Sequence, residues 1–308
     1  MGPTNQTKSV EGGETAIRIE RILCPVDFSD ISAKAYRYAQ SIACHYHAKL
    51  ILQHIVELWQ YPAGDFAMSP EYYDDFRQWL MTKAQNDLKL FLDKYSSVQP
   101  ECIVEESTAA DAILAVADAR DVSLIVMGTH GRRGFDHAML GSVTERVLRH
   151  SCCPVLAVPG KDPDQTGKSP AEAVQVKQIL CGVDFSSYSE RALDHAFSVA
   201  QAYGADLTVL HVLDNLGEFY DAGKESAAAV DKLQKLVAQS TLPPERIHLE
   251  VRLGKKAYRE IVDLAVERHL DLIVTGVLGL NSTSRVVFGS TAYRVIQLYP
   301  GPVLTIPM

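Results

Sequence analysis

Two stretches of the chain carry residue types able to do chemistry on an anion. In "VMGTHGRRGFDHAMLGSV" (126–143) Gly128, Gly131 and Gly141 precede Ser142, and in "VTGVLGLNSTSRVVFGST" (274–291) Gly276, Gly279 and Gly289 precede Ser290. The spacing is the same in both, G-x2-G-x9-G followed by a hydroxyl residue. Glycines without a Cβ let backbone N–H groups meet an anion at contact distance, and they tolerate positive φ in a turn. A helix beginning at the serine adds unpaired N–H groups, a hydroxyl and the positive end of its dipole. The implied chemistry is a phosphate cradle. The plainer reading is a tight strand-to-helix turn with Ser142 as an ordinary N-cap; two copies of one pattern favour the cradle. Asp27 and Asp184, each in "VDFS", belong with these loops. A carboxylate there can accept hydrogen bonds from ribose hydroxyls, or cap the next helix with Ser29 or Ser186.

The elements that must hold these residues repeat along the chain. Residues 22–57 and 179–214 align without a gap and are identical at 16 of 36 positions. The likeness resumes in "SLIVMGTHG" and "DLIVTGVLG", in "GSVTERV" and "GSTAYRV", and in "CPVLAVP" and "GPVLTIP". The chain is a duplication. The offset falls from 157 to 148, so the first copy carries nine extra residues between 58 and 110. The pattern predicts strands over 21–26, 49–56, 101–106, 123–128 and 154–158, with helices over 30–46, 70–95, 109–120 and 141–150. Apolar strands separated by helices imply a parallel sheet covered on both faces, which takes ligands beyond the carboxyl ends of its strands. Both glycine stretches leave a strand at such an end. The expected organisation is a polar leader (1–18), a first domain (19–159), a Gly/Pro-rich linker (160–176) and a second domain (177–308). The expected fold class is α/β: two tandem doubly wound five-stranded parallel-sheet domains, Rossmann-like, packed as an intramolecular pseudo-dimer through "PVLAVP" and "PVLTIP".

Composition excludes several functions. A net charge of −8 argues against nonspecific nucleic-acid binding and against a membrane-surface role. No apolar run reaches the eighteen residues of a membrane span, and the N-terminal "MGPTNQTKSVEGGETA" lacks a signal-peptide core. The six cysteines show no metal or C-x-x-C spacing and read as reduced thiols in a cytoplasmic protein.

G-x2-G-x9-G-[S/T] after the fourth strand, with D-F-S after the first, resembles the nucleotide-binding branch of the universal stress protein family, and the duplication resembles its tandem form. In that family the aspartate holds ribose, backbone at the end of strand two meets adenine, and the glycine loop with its hydroxyl holds the phosphates of ATP. The resemblance implies Asp27, Ile55, Met127, Gly128, Gly131, Gly141, Ser142 and Val143 in the first copy. In the second it implies Asp184, Val212, Thr275, Gly276, Gly279, Gly289, Ser290 and Thr291. Two departures could reshape the crevices. Pro25 stands opposite Gly182, and Thr108 stands near the place of Gly254.

Other residues invite lesser roles. Arg132, Arg133 and Arg285 sit in the loops as phosphate partners or solvated residues, and His130 and His137 are expected in solvent. His54 and His211 are expected as hydrogen-bonded structural histidines, and "HYH" (45–47) as no metal site. Trp79, Leu80, Leu88, Leu92 and Tyr95 are expected to pack on the sheet. The expected function is ATP binding, with Mg²⁺ bridging phosphate oxygens, as a nucleotide-dependent switch in a stress response with an unidentified downstream protein. Oligomers beyond the pseudo-dimer stay open. There is no Walker lysine and no base beside a nucleophile, so no catalytic residue is assigned. The alternatives are a slow ATP-hydrolysing or nucleotide-transferring enzyme of the same fold, and a scaffold without nucleotide.

Overall fold

The computed structural model describes residues 18–58, 70–131, 140–160, 174–213, 221–278 and 289–307. The first repeat runs β1 (Arg21–Pro25), α1 (Asp30–Tyr46), β2 (Lys49–Val56), α2 (Pro70–Tyr95), β3 (Glu101–Glu106), α3 (Ala109–Ala119), β4 (Leu124–Gly128), α4 (Ser142–His150) and β5 (Val155–Val158). The second runs β6 (Gln178–Gly182), α5 (Ser187–Tyr203), β7 (Asp206–Leu213), α6 (Ala222–Val237), β8 (Ile247–Leu253), α7 (Ala257–Glu267), β9 (Leu272–Gly276), α8 (Ser290–Leu298) and β10 (Val303–Ile306). The strands and helices expected in the first repeat are present, each end within a residue of its expected place.

All ten strands form one sheet, ordered β3-β2-β1-β4-β5-β10-β9-β6-β7-β8. Every pairing is parallel except β5 with β10, where Leu156 lies opposite Leu304 in antiparallel register. Each repeat therefore closes the open edge of the other, which removes two rows of unpaired backbone groups from solvent. The pseudo-dimer expected from "PVLAVP" and "PVLTIP" is this junction. Thr305, 1% exposed, adds a hydrogen bond from its hydroxyl to the Val155 carbonyl across it (3.1 Å).

Alternation along the strands splits the core in two. Ile22, Cys24, Leu52, Val126 and Leu156 face α1, and their counterparts face α5. Leu23, Ile51, Ile125, Met127 and Ala157 face the layer of α3 and α4, continued by α7 and α8. Strands buried on both faces are why they read as continuous apolar runs.

One packing expectation fails. On α2, Leu80 and Leu88 are buried, but Trp79 is 57% exposed and stacks on Phe76 (centroids 6.0 Å apart). This helix covers the β2–β3 margin of the sheet, so a narrower stripe of it finds a partner. The nine-residue excess also divides in two. Register pairs Ile51 with Glu101 and Thr208 with His248, so ten extra residues precede β3, and the second repeat regains one between β8 and α7. Gly254, whose N–H meets the Leu213 carbonyl, thus matches Ser107 on the Val56 carbonyl, and Thr108 matches Lys256 as N-cap. The expected leader and linker lie almost wholly outside the described residues.

Candidate functional site

The site is built where β1 and β4 end side by side. After β1 the chain turns at Phe28 with φ 64°, and after β6 at Phe185 with φ 61°. A bulky residue in the left-handed region costs about 1–3 kcal/mol, and finding it twice marks a conformation the surroundings enforce. The enforcing contacts are visible. Phe28 stacks on His54 (4.2 Å) and Phe185 packs on His211 (4.4 Å), while each histidine Nδ1 lies 2.8 Å from the carbonyl of Val26 or Val183. Both histidines are the hydrogen-bonded structural groups the sequence suggested; a carbonyl only accepts, so Nδ1 carries the proton.

The turn aims Asp27 at its own helix. Its Oδ1 accepts from the Ser29 amide (3.1 Å) and hydroxyl (2.6 Å), and Ser29 Oγ accepts from the Ser32 amide as the N-cap of α1. Asp184 does the same with Ser186, the N-cap of α5. The serine is therefore the cap, and the aspartate orients it.

The glycines answer what approaches the backbone. A Cβ on Gly128 would meet Ile31 Cγ2 at 2.7 Å, and one on Gly276 would meet the Tyr188 carbonyl at 3.0 Å. A Cβ on Gly131 would meet Asp27 Oδ2 at 2.7 Å, and one on Gly141 the Thr129 carbonyl at 3.1 Å. Gly289 repeats the last contact with the Val277 carbonyl at 2.9 Å. Backbone bonds Gly141 N to Thr129 O (2.8 Å) and Gly289 N to Val277 O (2.7 Å) close each loop at its neck. None of these five glycines has positive φ, which corrects the expectation of left-handed turns. They are glycine because protein atoms crowd them, Asp27 among those atoms.

Helix starts give a second correction. The N-caps of α4 and α8 are Gly141 and Gly289, without a side-chain cap, and Ser142 and Ser290 are the exposed first helical residues. The ordinary N-cap role is thereby ruled out for Ser142. Neither N-cap glycine supplies a side-chain cap, so among the described residues the leading N–H groups of both helices are open to water or a ligand. Ile55, Met127 and Val143 border one apolar cluster beneath that mouth, as does Val212 in the second repeat. Thr275 is buried and Thr291 half-buried. His130 is half-buried, its Nδ1 2.9 Å from Thr129 Oγ1. Gly279, Arg132, Arg133, His137 and Arg285 lie outside the described residues.

Sequence reasoning missed Thr144. Buried in α4, it donates from Oγ1 to the Gly128 carbonyl (2.8 Å) and ties the helix to the end of β4. Its counterpart is Ala292, so the repeat comparison held the signal. All six cysteines are free; burial pushes the thiols of Cys24 and Cys181 far up, which keeps them protonated. Among the described residues no group of three His, Cys, Asp or Glu could hold a metal, "HYH" included, and no helix is long and apolar enough to cross a membrane.

Fold and site together define a tandem doubly wound α/β protein with a glycine-necked crevice at the strand ends of each half. Residues 18–159 and 175–307 both match the Universal stress protein family. The chain belongs to that family. A universal stress protein of Mycolicibacterium smegmatis is 25% identical over 294 residues, covering 92% of this chain and 96% of its own. One from Bacillus subtilis is 33% identical over 144 residues, 45% of this chain and 97% of that one. The crystal structure of a universal stress protein from Archaeoglobus fulgidus superposes with a TM-score of 0.63 at 20% identity, covering 94% of this chain and 97% of that one. At that identity the likeness is one of fold.

Proposed function

We propose that each repeat binds ATP with Mg²⁺ and that the chain acts as a nucleotide-dependent switch in a stress response. One observation carries the reading: in both repeats a helix start without a side-chain cap from its N-cap residue follows a glycine-necked loop, and in the first repeat Asp27 lies so near that loop that a Cβ on Gly131 would strike it. The donors suit an anion, since the amides of Ser142 and Val143 and the Ser142 hydroxyl would meet phosphate oxygens. Asp27 and Asp184 would accept from ribose hydroxyls, while backbone at Ile55 and Val212 would meet the base. Gly128, Gly131 and Gly141, and Gly276, Gly279 and Gly289, would let the phosphates lie against the main chain. Mg²⁺ would bridge phosphate oxygens, because amides alone leave most of the triphosphate charge unbalanced. Among the described residues no general base is assigned to a nucleophile at the site, so we read binding as the purpose and hydrolysis, if any, as slow. Mass spectrometry of small molecules released from the purified full-length chain tests the reading. ATP is expected; ADP or AMP with rapid turnover of added ATP would point instead to an ATP-cleaving enzyme.

A further inference from the structure

Away from the crevices, at the amino ends of the second repeat's strands, an open cleft of about 220 Å³ is lined by Gln178, Asp206, Thr208, His248, Arg268 and Leu270. Gln178, Asp206, Thr208 and His248 come from three adjacent strands and stand on one sheet face, since register sets Gln178 beside Asp206 and Thr208 beside His248. None of these four side chains has a hydrogen-bond or ion-pair partner among the described residues, although Thr208 is only 5% exposed. With no protein partner among the described residues, this hydroxyl opens on the cleft and is left to water or to whatever occupies it.

The first repeat lines the same place differently. The counterparts by register are Arg21, Lys49, Ile51 and Glu101, with Arg120 for Arg268. There Ile51 replaces the hydroxyl, and Arg120 bonds Glu101 at 3.1 Å. In the second repeat Arg268 pairs instead with Glu250, itself held by Arg252 at 2.9 Å, which leaves His248 unengaged.

The lining fixes the class of ligand. Asp206 and the carbonyl end of α7 disfavour an anion, and the one cation, Arg268, is already balanced by Glu250. Asp206 is the single carboxylate of the lining, too few acidic groups to hold a cation. What remains is a carboxylate, a hydroxyl, an imidazole and an amide offering both donors and acceptors over the apolar side of Leu270. We infer that this cleft binds a small neutral polyol of roughly monosaccharide size, below the ~300 Å³ at which drug-sized sites begin. The inference is independent of the nucleotide reading.

The test uses the full chain and myo-inositol, which carries neither base nor phosphate. Saturation-transfer NMR should show binding with a dissociation constant in the millimolar range, and the His248 ring signals, assigned through His248→Gln, should shift with it. Thr208→Val should weaken binding about fivefold and Asp206→Asn about tenfold, each a lost hydrogen bond, while Thr208→Ser should retain it. Absence of transfer at about 100 mM, where a millimolar site is nearly full, would overturn the inference. So would binding unchanged in the Thr208→Val/Asp206→Asn double variant, or displacement of myo-inositol by equimolar inorganic phosphate or methylammonium.

Discussion

Replacing Gly131 with alanine should cost stability through one atom. Gly131 is exposed and has ordinary φ, so among the described residues a methyl group there meets only Asp27, whose Oδ2 would lie 2.7 Å away with Cγ at 3.8 Å. That is roughly 0.8 Å inside the optimal carbon contact of ~3.5 Å, and the carboxylate must rotate to relieve it. Rotation takes Oδ1 away from Ser29 Oγ at 2.6 Å and Ser29 N at 3.1 Å, and so loosens the cap of α1. Hydrogen bonds to a charged group contribute about 1.5–3 kcal/mol and a cap about 1 kcal/mol. Because the turn is half-buried and water replaces part of what is lost, the net loss should be about 1–2 kcal/mol. On the ATP reading, moving the ribose acceptor should also weaken Mg·ATP at this crevice by about tenfold, the equivalent of ~1.4 kcal/mol. Urea unfolding followed by circular dichroism measures the first quantity and calorimetric titration the second. A double-mutant cycle isolates the cause, because in an Asp27→Ala background the added methyl has nothing to strike and should cost almost nothing. Equal cost in both backgrounds would refute the proposed contact.

Three further outcomes follow from other parts of the structure. Thr144→Val should cost about 1 kcal/mol in urea unfolding, because it deletes the buried bond to the Gly128 carbonyl while keeping the side-chain volume. Leu304→Ala, opposite Leu156 in the inter-repeat junction, should cost about 2–5 kcal/mol. Both repeats should still melt together, and a separate, unshifted transition for the first repeat would contradict the continuous sheet. His195 has its pKa lowered first by burial, with the charge of Arg191 adding to the effect and the hydrogen bond of Nδ1 to the Arg191 carbonyl and the charge of Asp194 opposing it. The unfolded chain then binds the extra proton, so stability is full above the ordinary histidine value near 6.5 and falls as pH drops through it. His195→Gln should flatten that limb of the stability–pH curve just below about pH 6.5.

Much of this architecture was legible in the sequence because two periodicities reported on it directly. Strands buried on both faces gave unbroken apolar runs such as "LIVM", and the duplication made each run checkable against its twin, down to the last strands that join the halves. The sequence placed the caps of α1 and α5 in the right turns but on Asp27 and Asp184 aided by the serines, whereas Ser29 and Ser186 are the caps. The roles of individual loop residues were not legible. Spacing shows that Gly128 and Gly141 lack side chains but not that Ile31 and the Thr129 carbonyl crowd them, since those partners meet only after β1 and β4 pair. Likewise nothing local announces that Phe28 adopts a left-handed conformation, which depends on a histidine 26 positions later. Trp79 misled for the opposite reason: helical spacing records which residues share a face, not how much of that face the margin of the sheet can cover.

Calorimetric titration of the full-length chain with Mg·ATP, repeated on Gly131→Val, tests the central claim most directly. The claim predicts two molecules bound per chain and one in the variant, because a branched side chain at 131 would fill the space between Asp27 and the loop while leaving the second repeat untouched. No heat at millimolar Mg·ATP, or two molecules still bound by Gly131→Val, would contradict it.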